Sequence, residues 1–208
     1  MSPTLKQFIQ ETTMKKAPGP PTTFTAFHLF YTLELLSKEP FGRNKLAEKL
    51  SVGDGAVRTI ISRLKETDLI KTSKEGCSLT QKGQETWKQF EEIFPKRAEI
   101  PKTELTTSEH NYAFLVKNSG NKIQSGIDQR DVAIIAGAQR ALVIISNQGH
   151  LQIESVSESI EKDYPKAANQ ILKQITPESN DVIIIAGADS MLKAKLGAFA
   201  ASWSLIDS

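Results

Sequence analysis

Asp54-Gly-Ala-Val-Arg-Thr-Ile-Ile-Ser-Arg-Leu-Lys-Glu-Thr67 decides how the first half of this 208-residue chain folds. Val57, Ile60, Ile61 and Leu64 fall at i, i+3, i+4 and i+7, the spacing of one face of a helix, so this aliphatic stripe is expected to be buried. The opposite side carries Arg58, Thr59, Ser62, Arg63 and Lys65, a cationic surface rich in hydrogen-bonding groups. Glu66 and Asp68 close the segment with negative charge, which makes its N-terminal half the better match for an anionic partner. The glycine-bearing stretch Ser51-Val-Gly-Asp-Gly55 supplies a turn before it, with Asp54 as the expected cap.

Working outward, Leu46, Ala47 and Leu50 mark a shorter helix upstream, and Phe24, Phe27, Phe30, Leu33 and Leu36 mark an apolar helix ended by Lys38-Glu-Pro-Phe-Gly42. Downstream, Leu69-Ile-Lys-Thr-Ser73 and Cys77-Ser-Leu79 flank Lys74-Glu-Gly76, the pattern of a short hairpin. Thr80 then caps a helix running through Trp87, Phe90 and Phe94. Helix, helix, turn, helix, hairpin, helix is the order of a winged helix-turn-helix. In that fold the helix after the turn enters a major groove and the hairpin touches neighbouring backbone. The expected DNA contacts are Arg58, Thr59, Ser62 and Arg63 at bases or phosphates, with Arg43, Lys45, Lys65 and Lys74 at the backbone.

Gly42-Arg-Asn-Lys-Leu-Ala-Glu-Lys-Leu50, Val57-Arg-Thr-Ile-Ile-Ser-Arg-Leu64, Asp68-Leu-Ile70 and Leu79-Thr-Gln-Lys-Gly83 together resemble the winged-helix transcriptional regulators of bacteria and archaea. Over the whole chain, Ala17-Pro-Gly-Pro20, Gly42-Arg43, Val57-Arg58, Gly76-Cys-Ser-Leu-Thr80, Gln129-Arg-Asp131 and the stretch from Gly187 to Gly197 resemble an archaeal family. In that family a winged helix is joined to a C-terminal domain of unknown function. The resemblance implies a transcriptional regulator whose second half senses a ligand or drives assembly.

Composition agrees with a compact two-domain protein: 39% of residues are hydrophobic and 24% charged. The net charge is +2, but residues 41–82 hold nine Lys and Arg against five Asp and Glu, so positive charge is concentrated where the DNA-facing surface is expected. No apolar run approaches the ~20 residues of a membrane span. Met1 to Gln10 has no apolar core with a small-residue cleavage site, so a cytoplasmic location is expected. One cysteine and three scattered histidines offer no metal-ligand spacing. No cofactor is expected.

Ala17-Pro-Gly-Pro-Pro21 interrupts any helix and isolates an amphipathic lead containing Leu5, Phe8 and Ile9. Pro95 and Pro101 frame a second break. The expected organisation is an extension over 1–23, a winged helix-turn-helix over 24–95, a linker over 96–110 and a mixed α/β domain over 111–208, an α+β chain overall.

The second half reads as strand (Tyr112 to Lys117), helix (Gly126 to Gly137), hairpin (Ala141 to Ser146 with Leu151 to Ile153) and a helix interrupted near Pro165. A buried strand (Asp181 to Ile185) bounded by Ala186-Gly-Ala188 and a last helix (Ser190 to Ile206) follow. Asp131-Val-Ala-Ile-Ile-Ala-Gly-Ala138 and Asp181-Val-Ile-Ile-Ile-Ala-Gly-Ala188 differ at one position, yet the first reads as helix and the second as strand.

Gly187, Asp189 and Ser190, where a strand enters a helix, form a candidate anion site, with capping as the alternative. Gln129, Arg130 and Asp131 form a second polar group, with a surface ion pair as the alternative. A small anionic metabolite is the candidate ligand. Neither a phosphate loop nor a nucleophile elbow is present, and no acid-base pair emerges, so no catalytic residue is assigned. Ala194, Gly197, Ala198, Ala200, Ala201 and Ser202 of the last helix permit close backbone approach to the sheet or to a second copy, and a homodimer is the expectation that follows from the second. The expected function is a dimeric regulator bound to double-stranded DNA. An enzyme autoregulated by its winged helix, or a scaffold of the transcription machinery, are the alternatives.

Overall fold

The computed structural model describes residues 4–14 and 24–206. The proline-rich break at 17–21 lies outside them. The chain divides into two compact units, residues 1–90 and 91–207, and each is described by itself.

In the first unit, α1 (Leu5–Thr13) opens with a reciprocal capping box between Thr4 and Gln7 and buries Ile9 and Thr12. The amphipathic lead is therefore a helix of the winged unit rather than an extension ending at residue 23. The cause is visible in its inward side: Ile9 and Thr12 lie a turn apart and both need cover. The aromatic stripe forms α2 (Ala26–Leu36), which buries Phe27, Phe30, Leu33 and Leu36. Phe30 meets Phe90 edge-on at 5.1 Å and Trp87 at 5.5 Å. Then follow α3 (Arg43–Leu50), α4 (Asp54–Glu66), the antiparallel pair β1 (Ile70–Ser73) and β2 (Gly76–Leu79), and α5 (Gln81–Ile93). Phe41 adds an antiparallel bridge to Cys77. Gly76 permits it: its φ is +123°, and a Cβ there would stand 2.6 Å from the Phe41 carbonyl. Thr80 caps α5 as expected, accepting from the Gly83 amide at 3.0 Å.

The N-terminus of α2 couples this unit to pH. The Thr25 amide donates to His28 Nδ1 at 3.0 Å, closing a capping box with histidine in the position usually held by Glu or Gln. Burial lowers the His28 pKa from 6.5. A folded-state value below the unfolded one contributes stability above the unfolded value and loses it as pH falls through the folded value. Unfolding midpoints are therefore expected to drop as pH falls below 6.5. His28→Gln, which keeps an acceptor but cannot titrate, should flatten that drop; identical acid profiles for both proteins in urea melts would refute it.

The second unit is built on a five-stranded antiparallel sheet in the order β3-β4-β7-β5-β6: β3 (Arg97–Glu99), β4 (His110–Val116), β5 (Arg140–Asn147), β6 (His150–Gln152) and β7 (Val182–Ala188). Every residue of β7 is buried. This is why a continuous run of isoleucine stands there instead of alternation: β7 is central and covered on both faces. On one face, Ala113, Leu115, Ile183 and Ile185 pack with Ile160 of α7 (Ile160–Asp163) and Ile171 of α8 (Pro165–Gln174). On the other, Phe114 meets Phe94 at 5.4 Å and Phe199 of α9 (Met191–Ser204) at 6.0 Å.

Two expected boundaries shift. The segment 96–110 is not a linker: it contains β3, paired to β4 from Arg97 with Phe114 to Glu99 with Tyr112, followed by a loop held by Thr103 and Thr106 hydroxyls. A three-residue edge strand between two prolines carries too little periodicity to be legible. Ala186-Gly-Ala188 does not bound the last strand but completes it, because the neighbouring His110 and Asn111 extend the ladder to Ala188.

The two near-identical octapeptides do adopt different structures. The first ends α6 (Ile127–Ile135) and turns at Gly137, and the second is β7 with its approach. Composition is shared; burial and pairing decide the outcome.

Candidate nucleic-acid interface

The core stripe of α4 is buried as expected at Val57, Ile60 and Leu64, with Ile61 at its margin. Arg58, Thr59, Ser62 and Lys65 are all exposed on the other side. Arg43 of α3 is exposed and reaches Asp54 of α4, Lys45 is exposed elsewhere on α3, and Lys74 stands exposed at the tip of the β1–β2 wing. Seven of the eight residues expected to meet DNA therefore remain accessible to solvent. Lys71, missed in the sequence, is also exposed on β1, next to buried Ile70.

Arg63 is the exception and a correction. It is 7% exposed, and its Nη1 donates to the carbonyls of Thr12 and Thr13 at 3.0 and 2.7 Å. Its guanidinium lies 5.0 Å from the centre of the Phe24 ring. At 3.6 residues per turn, Arg58 and Arg63 both lie about 110° from the centre of the apolar stripe, on opposite flanks. Periodicity within α4 treats them alike. The flank carrying Arg63 faces the C-terminal end of α1, whose last carbonyls lack helical donors and are satisfied by this cation.

Asp54 does not cap the helix. Gly53 occupies the N-cap position without a side-chain bond, and Asp54 is the first helical residue. Its carboxylate pairs with Arg43 Nε at 3.1 Å and Arg58 Nη2 at 2.8 Å, linking α3 to α4. All three groups are about half exposed, so these pairs are worth only about 0 to 1 kcal/mol and can be exchanged for phosphate contacts. The hydroxyls are also engaged within the helix: Thr59 donates to the Gly55 carbonyl, and Ser62 to Glu66 Oε1, both at 3.0 Å. Each retains lone pairs to accept from a base amine. Arg43, Arg58, Ile61, Ser62, Lys65 and Glu66 line a shallow recess of about 400 Å³. The recess sets the aliphatic side chain of Ile61 among the cations Arg43, Arg58 and Lys65, with Glu66 as its one acid.

The second unit does not assemble the expected anion site. Asp189 is paired with Lys193 at 2.9 Å, and Ser190 caps α9 by accepting from the Lys193 amide at 3.4 Å. Gly187 is packed against Ser108 and Asn111, where a Cβ would fall 2.4 Å from the Ser108 hydroxyl, and its carbonyl accepts from the Gln139 amide. Arg130 and Asp131 pair with each other on the exposed side of α6, and Gln129 is half-buried. Capping and a surface pair account for these residues. The terminal helix is likewise engaged internally: Ala194, Gly197, Ala198, Ala201 and Ser202 are buried. At Gly197 a Cβ would come within 2.6 Å of Ala138 Cβ, so the small residues let α9 approach its own unit rather than a second copy.

Among the described residues, no group of three acidic, histidine or cysteine side chains could hold a metal ion, and no helix is long and apolar enough to cross a membrane.

Two family models match the chain in tandem: the PH0730-like N-terminal domain over residues 29–85 and a domain of unknown function, DUF4443, over residues 107–205. Hypothetical protein PH0730 from Pyrococcus horikoshii OT3 is similar along nearly the whole length. It shows 28% identity and a TM-score of 0.73, covering 88% of this chain and 92% of that one. Lactococcus lactis ZitR aligns at 27% identity over 36% of this chain and 55% of that chain, with a TM-score of 0.30. No curated protein matches the chain. The tandem of models agrees with the resemblance in the sequence, a winged-helix unit followed by a C-terminal domain of unknown function.

Proposed function

We propose that the chain is a cytoplasmic transcriptional regulator that binds double-stranded DNA through α4 and the β1–β2 wing and acts as a homodimer, without catalysis. The observation that supports it is the division of α4 between a buried aliphatic stripe and an open side bearing Arg58, Thr59, Ser62 and Lys65. Arg43 beside α4, Lys45 exposed on α3, and Lys71 and Lys74 on the wing add further positive charge to this unit. A helix so placed inserts its first turns between phosphate rows, with Arg58 reaching base edges or phosphate, and the flanking lysines fixing register. Asp54 keeps Arg43 and Arg58 extended along the surface in the free protein and gives them up when DNA binds. The second unit's polar residues being engaged in caps, pairs and loop bonds supports a role in assembly over one in chemistry.

Fluorescence anisotropy with a duplex of mixed sequence tests this reading. Affinity should fall log-linearly with salt, at a slope of about −0.9 per phosphate neutralised. The Arg58→Ala, Lys65→Ala double variant should weaken binding by about 1 to 3 kcal/mol for each side chain that reads a base, and should reduce the slope by about 1 for each that neutralises a phosphate. Lys166→Ala, exposed on α8, serves as the control. Absence of salt-dependent binding, or retention of full affinity and slope by the double variant, would overturn the proposal.

A further inference from the structure

The two flanks of the five-stranded sheet end differently. Beyond β4 the edge is closed: the Ile100 amide donates to the Asn111 carbonyl and the Leu115 amide to the Lys96 carbonyl, on either side of β3. β3 itself is three residues long and lies between Pro95 and Pro101, the short, proline-flanked form in which sheets blunt an edge. On the other flank β6 covers only Ile145 to Asn147 of the eight-residue β5, and the outward Leu151 amide of β6 donates to Glu161 Oε1 at 2.8 Å. The remainder of β5, Arg140-Ala-Leu-Val-Ile144, has no strand on that side. The Ser146 amide donates to the Asp181 carbonyl at the β7 side, so alternation turns the N–H and C=O of Ala141 and Val143 away from β7. Neither residue makes a bond on that open side to any described residue. Four backbone groups thus stand open on a stretch that is apolar apart from Arg140.

This edge is complementary to itself. An antiparallel strand related by a two-fold axis perpendicular to the sheet at Leu142 sets Ala141 opposite the partner subunit's Val143, and Val143 opposite the partner subunit's Ala141. Each pair exchanges two hydrogen bonds, so all four open groups of each copy are used. Leu142, half-buried, meets the partner subunit's Leu142 at the axis. The seam has the same five residues on both sides, because β5 starts at Arg140 and β6 takes over its edge at Ile145. The charges fit this register. Arg140 is exposed, makes no ion pair with any described residue, and alternates with Leu142 and Ile144 on the side of the sheet covered by α7 and α8. In the paired sheet it lies opposite the partner subunit's Ile144, one position past the Ile145–Gln152 pair that ends β6. There the chain leaves the sheet around a recess of about 720 Å³ whose lining holds three acids, Glu154, Glu158 and Asp163, against one cation, Lys162. Glu154 and Glu158 are exposed and make no ion pair with described residues. An axis perpendicular to the sheet keeps the α7–α8 side of both copies together, so each Arg140 arrives at the acidic recess of the other copy. We infer that two copies of this chain join β5 to β5 across the open edge into one continuous sheet, with Arg140 of each copy docked at the other's acidic loop. The inference deepens the dimeric part of the proposed function and rests on that part, not on DNA binding.

Hydrogen exchange and sedimentation velocity on the full chain provide the test. In the wild type the Ala141 and Val143 amides should exchange more slowly, by about tenfold or more, as protein concentration rises through the dimer dissociation constant. Ala141→Pro removes one outward donor and leaves the bonds between β5 and β7 in place, and it should raise that constant by about tenfold or more. Arg140→Glu sets a carboxylate at each acidic recess, and the Glu154→Lys, Glu158→Lys double variant sets ammonium groups against each Arg140; both should weaken association by about tenfold. An equimolar mixture of these two proteins should recover it, because in the mixed dimer one contact is native and the other has both charges reversed. Positions 140, 154 and 158 are exposed, and circular dichroism melts verify folding of every variant. A dimer whose 140–144 amides exchange independently of concentration, an unchanged constant in Ala141→Pro or Arg140→Glu, or a mixture that does not recover would overturn this seam and leave the dimeric reading standing. A wild type that stays monomeric overturns both, including one whose edge amides are slowed by a strand of another protein. Anisotropy of the wild type on DNA, measured separately, tells failure of the interface from failure of the DNA reading.

Discussion

Asp181→Ala is expected to lower the unfolding free energy by about 3 to 5 kcal/mol, the cost of removing one partner from a buried charged network. Asp181 is fully buried at the entrance to β7. Its Oδ2 accepts from Lys117 Nζ at 3.1 Å and from the Glu178 amide at 2.8 Å, and its Oδ1 accepts from the Asn118 amide at 3.0 Å. One carboxylate thus ties the end of β4 and the turn after α8 to the central strand. Alanine leaves the Asn118 and Glu178 amides facing the gap without this acceptor and takes from Lys117 one of its two carboxylate partners. The Lys117 pKa is raised, chiefly by its hydrogen bond to Glu178 at 2.7 Å, with burial opposing and Asp181 reinforcing. Glu178 is 81% exposed, so Glu178→Ala should cost no more than about 1 kcal/mol. For a domain whose total stability is about 5 to 15 kcal/mol, only the first change should move a urea midpoint far. A midpoint for Asp181→Ala within experimental scatter of wild type would show that the network is not structural.

The regions legible in the sequence are those whose periodicity carries its own proof. The apolar positions Val57, Ile60 and Leu64 on α4, the aromatic spacing of α2 and the isoleucine run of β7 each demand burial, and each is buried. The hairpin follows from glycine between two short β-rich runs, and the break before Pro165 from proline itself. Features that depend on a partner distant in the chain are not legible. β3 has three residues and exists because β4 offers it an edge. Asp54 looks like a cap until Arg43, eleven positions earlier, is seen to share it with Arg58. Asp189 and Ser190 carry the opposite ambiguity, and Lys193 resolves it in favour of capping. The start of α6 reads as a polar group because Gln129, Arg130 and Asp131 are adjacent, whereas helical geometry separates half-buried Gln129 from the exposed pair. Charge near an apolar run suggests a pocket; the same residues lie on an exposed helix surface with isoleucines at either end.

Arg63→Ala should separate the two arginines of α4 by their effects. The substitution removes two charge-assisted hydrogen bonds to carbonyls, each worth about 1.5 to 3 kcal/mol, and a ring contact with Phe24. A fall in unfolding free energy of about 3 kcal/mol is expected, with earlier exchange of the α1 amides, since the guanidinium caps the C-terminal end of that helix from fifty residues away. Arg63→Lys should recover only part of this, because one ammonium cannot hold both carbonyls in the planar arrangement and lie against the ring as a guanidinium does. Arg58→Ala should do the reverse, leaving the melt almost unchanged and weakening DNA binding. At temperatures where both variants are folded, the salt slope of Arg63→Ala should equal that of the wild type, because a cation turned toward Thr12 and Thr13 neutralises no phosphate. If Arg63→Ala melted like the wild type and showed a shallower slope on DNA, the internal role assigned to Arg63 would be wrong, and the groove-facing surface of α4 would have to be redrawn around both flanks of the helix.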